Sequence, residues 1–177
     1  MPVLTAVVGL LAAVTAANLF LLLGVIRRLR TMATDHALTD LGMPEIGSQI
    51  GTFAETTIAG QPVTDEDLRH DPALLVFLSA SCQPCKRTAT ELASRRDELP
   101  ARTFVFIQAE PDEPALARML DSLDGAGAVI VSEHAPRQAF AVDAFPTVLL
   151  VDGGRVTFAS FELAEALPLL PSGALAR

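Results

Sequence analysis

The chain of 177 residues has no tryptophan and no tyrosine, and Lys86 is its single lysine among thirteen basic residues. With nine phenylalanines as the only aromatics, a core has to be assembled mainly from Leu, Val and Ala. Basic charge is also scarce: the formal net charge is -8. That excludes nucleic acid as a partner, because a phosphate backbone demands a basic face. Cysteine occurs twice, at Cys82 and Cys85, too few for a disulfide-stapled scaffold. The three histidines, His36, His70 and His134, form no spaced pair. A metal clip needs about four ligands, so neither a metal nor another cofactor is expected.

What the chain does have in quantity is apolar sequence at its start. Val3 to Ile26 runs for 24 residues without a charge, with Asn18 its only strongly polar side chain. A helix of that length reaches roughly 36 Å, enough to cross a hydrocarbon core. A cleavable signal peptide would need a charged start, and the apolar run continues past the small residues Ala16 and Ala17. Residues 1–30 are therefore expected to form a single-pass transmembrane anchor. Arg27, Arg28 and Arg30 follow it directly, and the positive-inside tendency would keep that side in the cytoplasm. The stretch from Thr31 to about Gly47 is short on apolar periodicity and ends in Gly42, Pro44 and Gly47; residues 31–45 read as a linker with room for one short helix, and a folded domain is expected over 46–177.

Inside that domain the pattern alternates. Segments on either side of Ala59-Gly60 suggest a hairpin, and "ALLVFL" at 73–78 is a continuous apolar run, as in a strand covered on both faces. Lys86 to Leu99 reads as a helix stopped by Pro100, with Ala89, Leu92, Ala93 and Leu99 facing inward. "TFVFIQA" predicts a second buried strand, Pro114 to Leu123 a helix, and "AVIVS" a third strand. A short helical stretch near Pro136 to Phe140 comes next. "TVLLV" and "RVTFASF" then flank Asp152-Gly153-Gly154, a hairpin turn, and Glu162 to Leu170 can form two helical turns. The order implies an α/β fold, a mixed central sheet flanked by helices on both faces.

The C-x-x-C pair falls between the first buried strand and its helix, where a redox motif belongs. A thiolate at a helix N-terminus is stabilised by unpaired backbone N–H groups and the helix dipole. Cys82 occupies that place, Pro84 suits the first turn, and Cys85 lies one turn on, within reach of Cys82. Lys86 and Arg87 add positive charge nearby. The alternatives are a pair of inert buried cysteines and half of a metal clip.

"VFLSASCQPCK" resembles the active-site stretch of thioredoxin-fold proteins, and "AFPTVLLVDGGRV" resembles their second signature. Together with the anchor and "IAGQPVTDEDL", the chain is similar to the membrane-anchored TlpA/ResA group, including MauD-like thiol oxidoreductases. The resemblance implies a thioredoxin-like fold over about residues 46 to 165. It also implies thiol–disulfide exchange with protein thiols and disulfides through Cys82 and Cys85. It gives Pro146 a cis peptide bond beside the pair, and has Phe145 offer main chain to a partner peptide. An extracytoplasmic redox domain on the cell membrane, with a membrane redox partner, is implied as well, against the three arginines.

Three departures stand out. Ser81 replaces the aromatic residue that usually precedes the first cysteine. Val76 stands where thioredoxin carries a buried acid, six positions before it, so the sequence identifies no proton-accepting group for Cys85 and puts efficient general reductase activity in question. The last helix is short, which would cover one sheet face thinly. Two other functions fit the same motifs. A peroxiredoxin-like thiol peroxidase pattern, P-x-x-x-[ST]-x-x-C, keeps Ser79 and Cys82 but has Leu75 for its proline. A non-enzymatic assembly factor could use the fold as a binding surface alone.

Overall fold

A computed structural model describes Thr15 and residues 42–110, 112–123, 125–132 and 137–170. The expected membrane anchor therefore lies outside the described residues, apart from Thr15. Among the described residues no helix is long and apolar enough to cross a membrane. The chain divides into two compact units, Met1–Ala37 and Leu38–Arg177, and the second holds the sheet and the cysteine pair.

Strands β1 (Ala54–Thr56) and β2 (Pro62–Thr64) form the expected antiparallel hairpin, turning at Gly60 with φ 80°. Helix α1 (Asp67–His70) leads into β3 (Ala73–Ser79), the central strand of the main sheet. Helix α2 (Gln83–Ser94), β4 (Thr103–Gln108), α3 (Pro114–Ser122) and β5 (Ala128–Ser132) come next in the chain. Helix α4 (Arg137–Phe140), β6 (Thr147–Asp152), β7 (Arg155–Ser160) and α5 (Leu163–Ala166) complete the order. The main sheet has the order β5-β4-β3-β6-β7. β4 runs parallel to both β3 and β5, and β6 is antiparallel to β3 and β7. This is the mixed sheet expected from the sequence.

Alternation along β3 sorts the core into two layers. Leu74, Val76 and Leu78 face Ala89 and Leu92 of α2, Met119 of α3, and Leu163 and Ala166 of α5. Ala73, Leu75 and Phe77 face the opposite layer, with Phe53, Leu68, Phe106 and Phe140. Four buried phenylalanines gather there, with Phe104, Phe145 and Phe161 packed against them; Phe77 and Phe106, on neighbouring strands, stack with centroids 4.9 Å apart. The buried aromatic residues are thus all on one face; the buried side chains of the other carry no aromatic ring, and only the partly buried Phe145 and Phe158 pack against it.

Four details differ from the sequence reading. Helix α2 starts earlier, at Gln83, and ends at Ser94; a 3-10 turn over Arg96–Glu98 then carries the chain to buried Leu99. The Arg95 N–H shares its hydrogen bond between the Glu91 and Leu92 carbonyls, which tightens that end. Ala93 is only half-buried, and Thr88 takes an inward place instead. Packing also begins before Ile46: Met43 is 4% exposed, and Pro44 beside it is buried. The short final helix does cover its face, since Leu163 and Ala166 are buried and Leu167 and Leu170 pack beside them.

Candidate active site

The apolar run of β3 ends at Ser79, and the chain turns through Ala80 and Ser81 into α2. The turn is fixed by two backbone bonds, Ala80 N–H to the Gln108 carbonyl at 3.0 Å and Cys82 N–H to the Ser79 carbonyl at 3.1 Å. Cys82 then acts as the N-cap of α2, with extended backbone at φ -79°, ψ 123°. Its Sγ accepts a hydrogen bond from the Cys85 N–H at 3.3 Å, satisfying one of the orphan donors of the helix start. Pro84 sits in the first turn, where its missing N–H costs the helix nothing.

Cys82 and Cys85 are joined as a disulfide, with Cα atoms 5.3 Å apart. Their surroundings differ sharply. Cys82 is half-buried, whereas Cys85 is fully buried in the aliphatic layer with Val76, Leu78 and Ala89. Among the described residues, the polar group on the Cys85 sulfur is the backbone N–H of Ser79, at 3.4 Å. An attacking thiolate can therefore reach Cys82 and not Cys85.

The loop before β6 closes the other side. Phe145–Pro146 is a cis peptide bond, Pro146 is buried, and the Phe145 carbonyl oxygen lies 3.7 Å from Cys82 Sγ. Thr147 Oγ1 donates to the Ala144 carbonyl at 2.8 Å, bracing the loop. Sequence motifs thus meet in space: all five expected residues, Cys82, Pro84, Cys85, Phe145 and Pro146, lie around the disulfide. A cavity of about 410 Å³ continues from this point between α2 and α5, lined by Pro84, Arg87, Thr88, Pro146 and Glu162 among others.

Charge at the site is one-sided on the helix. Lys86 and Arg87 follow Cys85 directly and are exposed; Lys86 Nζ donates to Gln83 Oε1 at 3.2 Å. Neither joins an ion pair among the described residues. Val76 is confirmed as a buried apolar side chain in the layer that holds Cys85, so no carboxylate comes from that position. Ser81 is exposed, and its hydroxyl lies 3.2 Å from that of Ser79. Among the described residues no cluster of His, Cys, Asp and Glu could hold a metal ion; His70 is exposed, and His36 and His134 lie outside the described residues.

Two contributors escaped the sequence reading. The Ser79 amide has no side-chain signature, because any residue at that point would offer the same N–H. Gly42, whose carbonyl meets the loop before Pro146, read only as linker punctuation; its apolar neighbour Met43 was the available signal of burial.

A mixed sheet with a C-x-x-C disulfide at the N-terminus of its first long helix, faced by a cis-proline loop, defines a thioredoxin-like protein. The sequence matches the AhpC/TSA family over residues 46–168, about two thirds of the chain, and the protein belongs to that family. A search of the curated proteins found no match. Solved structures share the fold. The thioredoxin domain of a thiol-disulfide oxidoreductase from Bacteroides vulgatus is 14% identical with a TM-score of 0.56, covering 73% of this chain and 97% of that one. A protein of Chlorobium tepidum described as a thiol:disulfide interchange protein DsbE is 18% identical, with a TM-score of 0.55 and coverage of 75% and 99%. A secreted disulfide oxidoreductase of Mycobacterium tuberculosis is 15% identical, with a TM-score of 0.53 and coverage of 67% and 96%.

Proposed function

We propose that the protein is a membrane-tethered thiol–disulfide oxidoreductase that exchanges disulfides with protein partners through Cys82 and Cys85. The observation that carries this reading is the asymmetry of the pair: a half-exposed sulfur capping a helix, bonded to a buried one behind it. The relatives in the fold, described as oxidoreductases and interchange proteins, support the same chemistry.

In the reducing direction the Cys82 thiolate attacks one sulfur of a partner disulfide. A mixed disulfide forms, and the partner's other sulfur leaves as a thiolate. Cys85 gives up its thiol proton to solvent and attacks Cys82 Sγ, closing the intramolecular disulfide and releasing the second partner thiolate. Two electrons pass to the partner, and solvent protonates its thiolates. Run backwards, a partner dithiol attacks the exposed Cys82 sulfur and leaves oxidised. The helix N-terminus and the Cys85 N–H stabilise Cys82 as both nucleophile and leaving group. Phe145 and Pro146 border the site where the partner's main chain would lie.

Tethering rests on the uncharged run Val3 to Ile26, and the extracytoplasmic placement on the likeness to anchored TlpA/ResA-type proteins. A membrane-impermeant maleimide applied to intact cells after reduction tests both: labelling of Cys82 and Cys85 is expected, and protection until lysis would place the domain in the cytoplasm. The exchange itself is tested by Cys85→Ser, which should hold partners on Cys82 as mixed disulfides; full turnover by that variant would refute the two-cysteine mechanism. The peroxidase alternative keeps Ser79 and Cys82, yet Leu75 stands buried in β3 at its proline position. Rapid sulfenic acid formation at Cys82 with dilute peroxide would favour that alternative.

A further inference from the structure

The segment before β1 runs as a strap across the domain. It is fixed to β7 by Gly47 N–H to the Val156 carbonyl at 2.7 Å and Val156 N–H to the Ser48 carbonyl at 3.0 Å, and to α4 by Gly51 N–H to the Ala139 carbonyl at 2.7 Å. Met43 is buried in the aromatic layer. At the strap's start, the Gly42 carbonyl accepts two backbone bonds from one loop: Asp143 N–H at 2.7 Å and Ala144 N–H at 3.2 Å. The next residues of that loop are Phe145, whose carbonyl oxygen faces Cys82 Sγ, and Pro146.

We infer that Gly42 is a positioning residue: its carbonyl clamps the Asp143–Ala144 main chain and so sets where Phe145 offers its backbone to a partner peptide beside Cys82. The inference rests on the exchange reading of the cysteine pair. Glycine is required on two counts. Its φ is +75°, a left-handed conformation that side chains disfavour. A Cβ there would also meet Ala144 N at 3.1 Å and Asp143 Cβ at 3.2 Å, pressing on the loop. Gly47 supplies an internal control in the same strap: its φ is +90°, but a Cβ would meet nothing within 4 Å. Alanine at either position strains the backbone, and only at Gly42 does it also push the loop.

The test uses the full-length chain in detergent, reduced at Cys82 and Cys85, and two oxidants followed by stopped flow. One is a short peptide closed by an intramolecular disulfide. The other is dithiobis(nitrobenzoate), a disulfide with no peptide main chain to pair with the loop. Each takes two electrons from the cysteine pair and is released as two thiols. Gly42→Ala is expected to slow the peptide reaction about tenfold, a change of about 1.4 kcal/mol. The aromatic disulfide should react within about twofold of the native rate, and Gly47→Ala should leave both reactions near native, since a change confined to peptide pairing leaves thiol reactivity alone. Should Gly42→Ala not fold, Met43→Ala loosens the strap beside the clamp and should give the same selective loss. A parallel fall with both oxidants, an equal fall in Gly47→Ala, or an unchanged peptide rate overturns the inference. A native protein that reduces the aromatic disulfide but not the peptide overturns the exchange reading, and the clamp with it.

Discussion

The two ends of the central sheet handle polarity in opposite ways. Where β3 and β4 begin, charges are paired: Arg69 bridges Asp65 at 2.7 Å and Glu66 at 3.3 Å. Arg102 donates to the Asp67 carbonyl. At the far end of α2, about 18 Å of helix away from Cys82, Arg95 binds Glu91 at 3.3 Å and Glu98 at 2.8 Å. Where the strands end, the sulfurs receive backbone N–H groups from Ser79 and Cys85, and Lys86 and Arg87 carry no ion pair among the described residues. One end pairs its charges. The other leaves Lys86 and Arg87 without an ion pair among the described residues, although Glu91 and Glu162 line the same cavity as Arg87, and there the helix start supplies the N–H groups that favour a Cys82 thiolate.

Substitutions at each end should separate these roles. The largest effect is expected from the sulfurs themselves. Cys82→Ser should abolish disulfide exchange, and Cys85→Ser should stop turnover while mixed disulfides accumulate on non-reducing gels. Next comes the core between the ends. Phe77→Ala removes a fully buried ring stacked on Phe106 and should cost about 3 to 5 kcal/mol in chemical denaturation. A folded sample should still alkylate Cys82 at the native rate, because Phe77 faces the layer opposite Cys85.

A smaller effect tests the polarity contrast itself. The double change Lys86→Gln, Arg87→Gln should raise the Cys82 thiol pKa by about 0.2 to 0.7 unit, the shift that one or two exposed charges produce. Arg95→Gln, at the paired end, should leave that pKa where it is. The smallest effect concerns acid. The hydrogen bond from Arg69, foremost, holds the Asp65 carboxyl below its ordinary value. Stability from this group is in place above the ordinary carboxylate range near about pH 4 and is lost as pH falls through the lowered value in the folded state. Asp65→Asn should therefore flatten the acid limb of the melting-temperature profile and leave Cys82 alkylation untouched.

Much of this organisation was legible in the residues. The uninterrupted apolar run of β3 announced a strand covered on both faces, and the C-x-x-C after it marked the turn into a helix, although that helix was read from Lys86 and begins at Gln83. Asp152-Gly153-Gly154 marked the β6–β7 turn, where both glycines have positive φ. The cis bond at Pro146 was reached through family resemblance, since nothing local to "AFPT" distinguishes cis from trans. What stayed hidden depends on contacts distant in sequence. Gly42 meets Asp143 across about a hundred residues, and the Phe53, Phe77, Phe106 and Phe140 cluster gathers from four separate segments. The end of α2 at Ser94 was hidden for another reason: Arg95 bonds Glu91 and Glu98 on either side of the break, a pattern that also suits a continuous helix.

The central claim is that the protein presents one activated sulfur and shields the other. The most direct test is the pH dependence of alkylation of the fully reduced protein, with each cysteine followed separately by peptide mass analysis. Cys82 is expected to react with an apparent pKa well below the ordinary thiol value of about 8.5, while Cys85 stays unreactive until the protein is denatured. Equal reactivity of the two, or a Cys82 pKa at or above the ordinary value, would contradict the account.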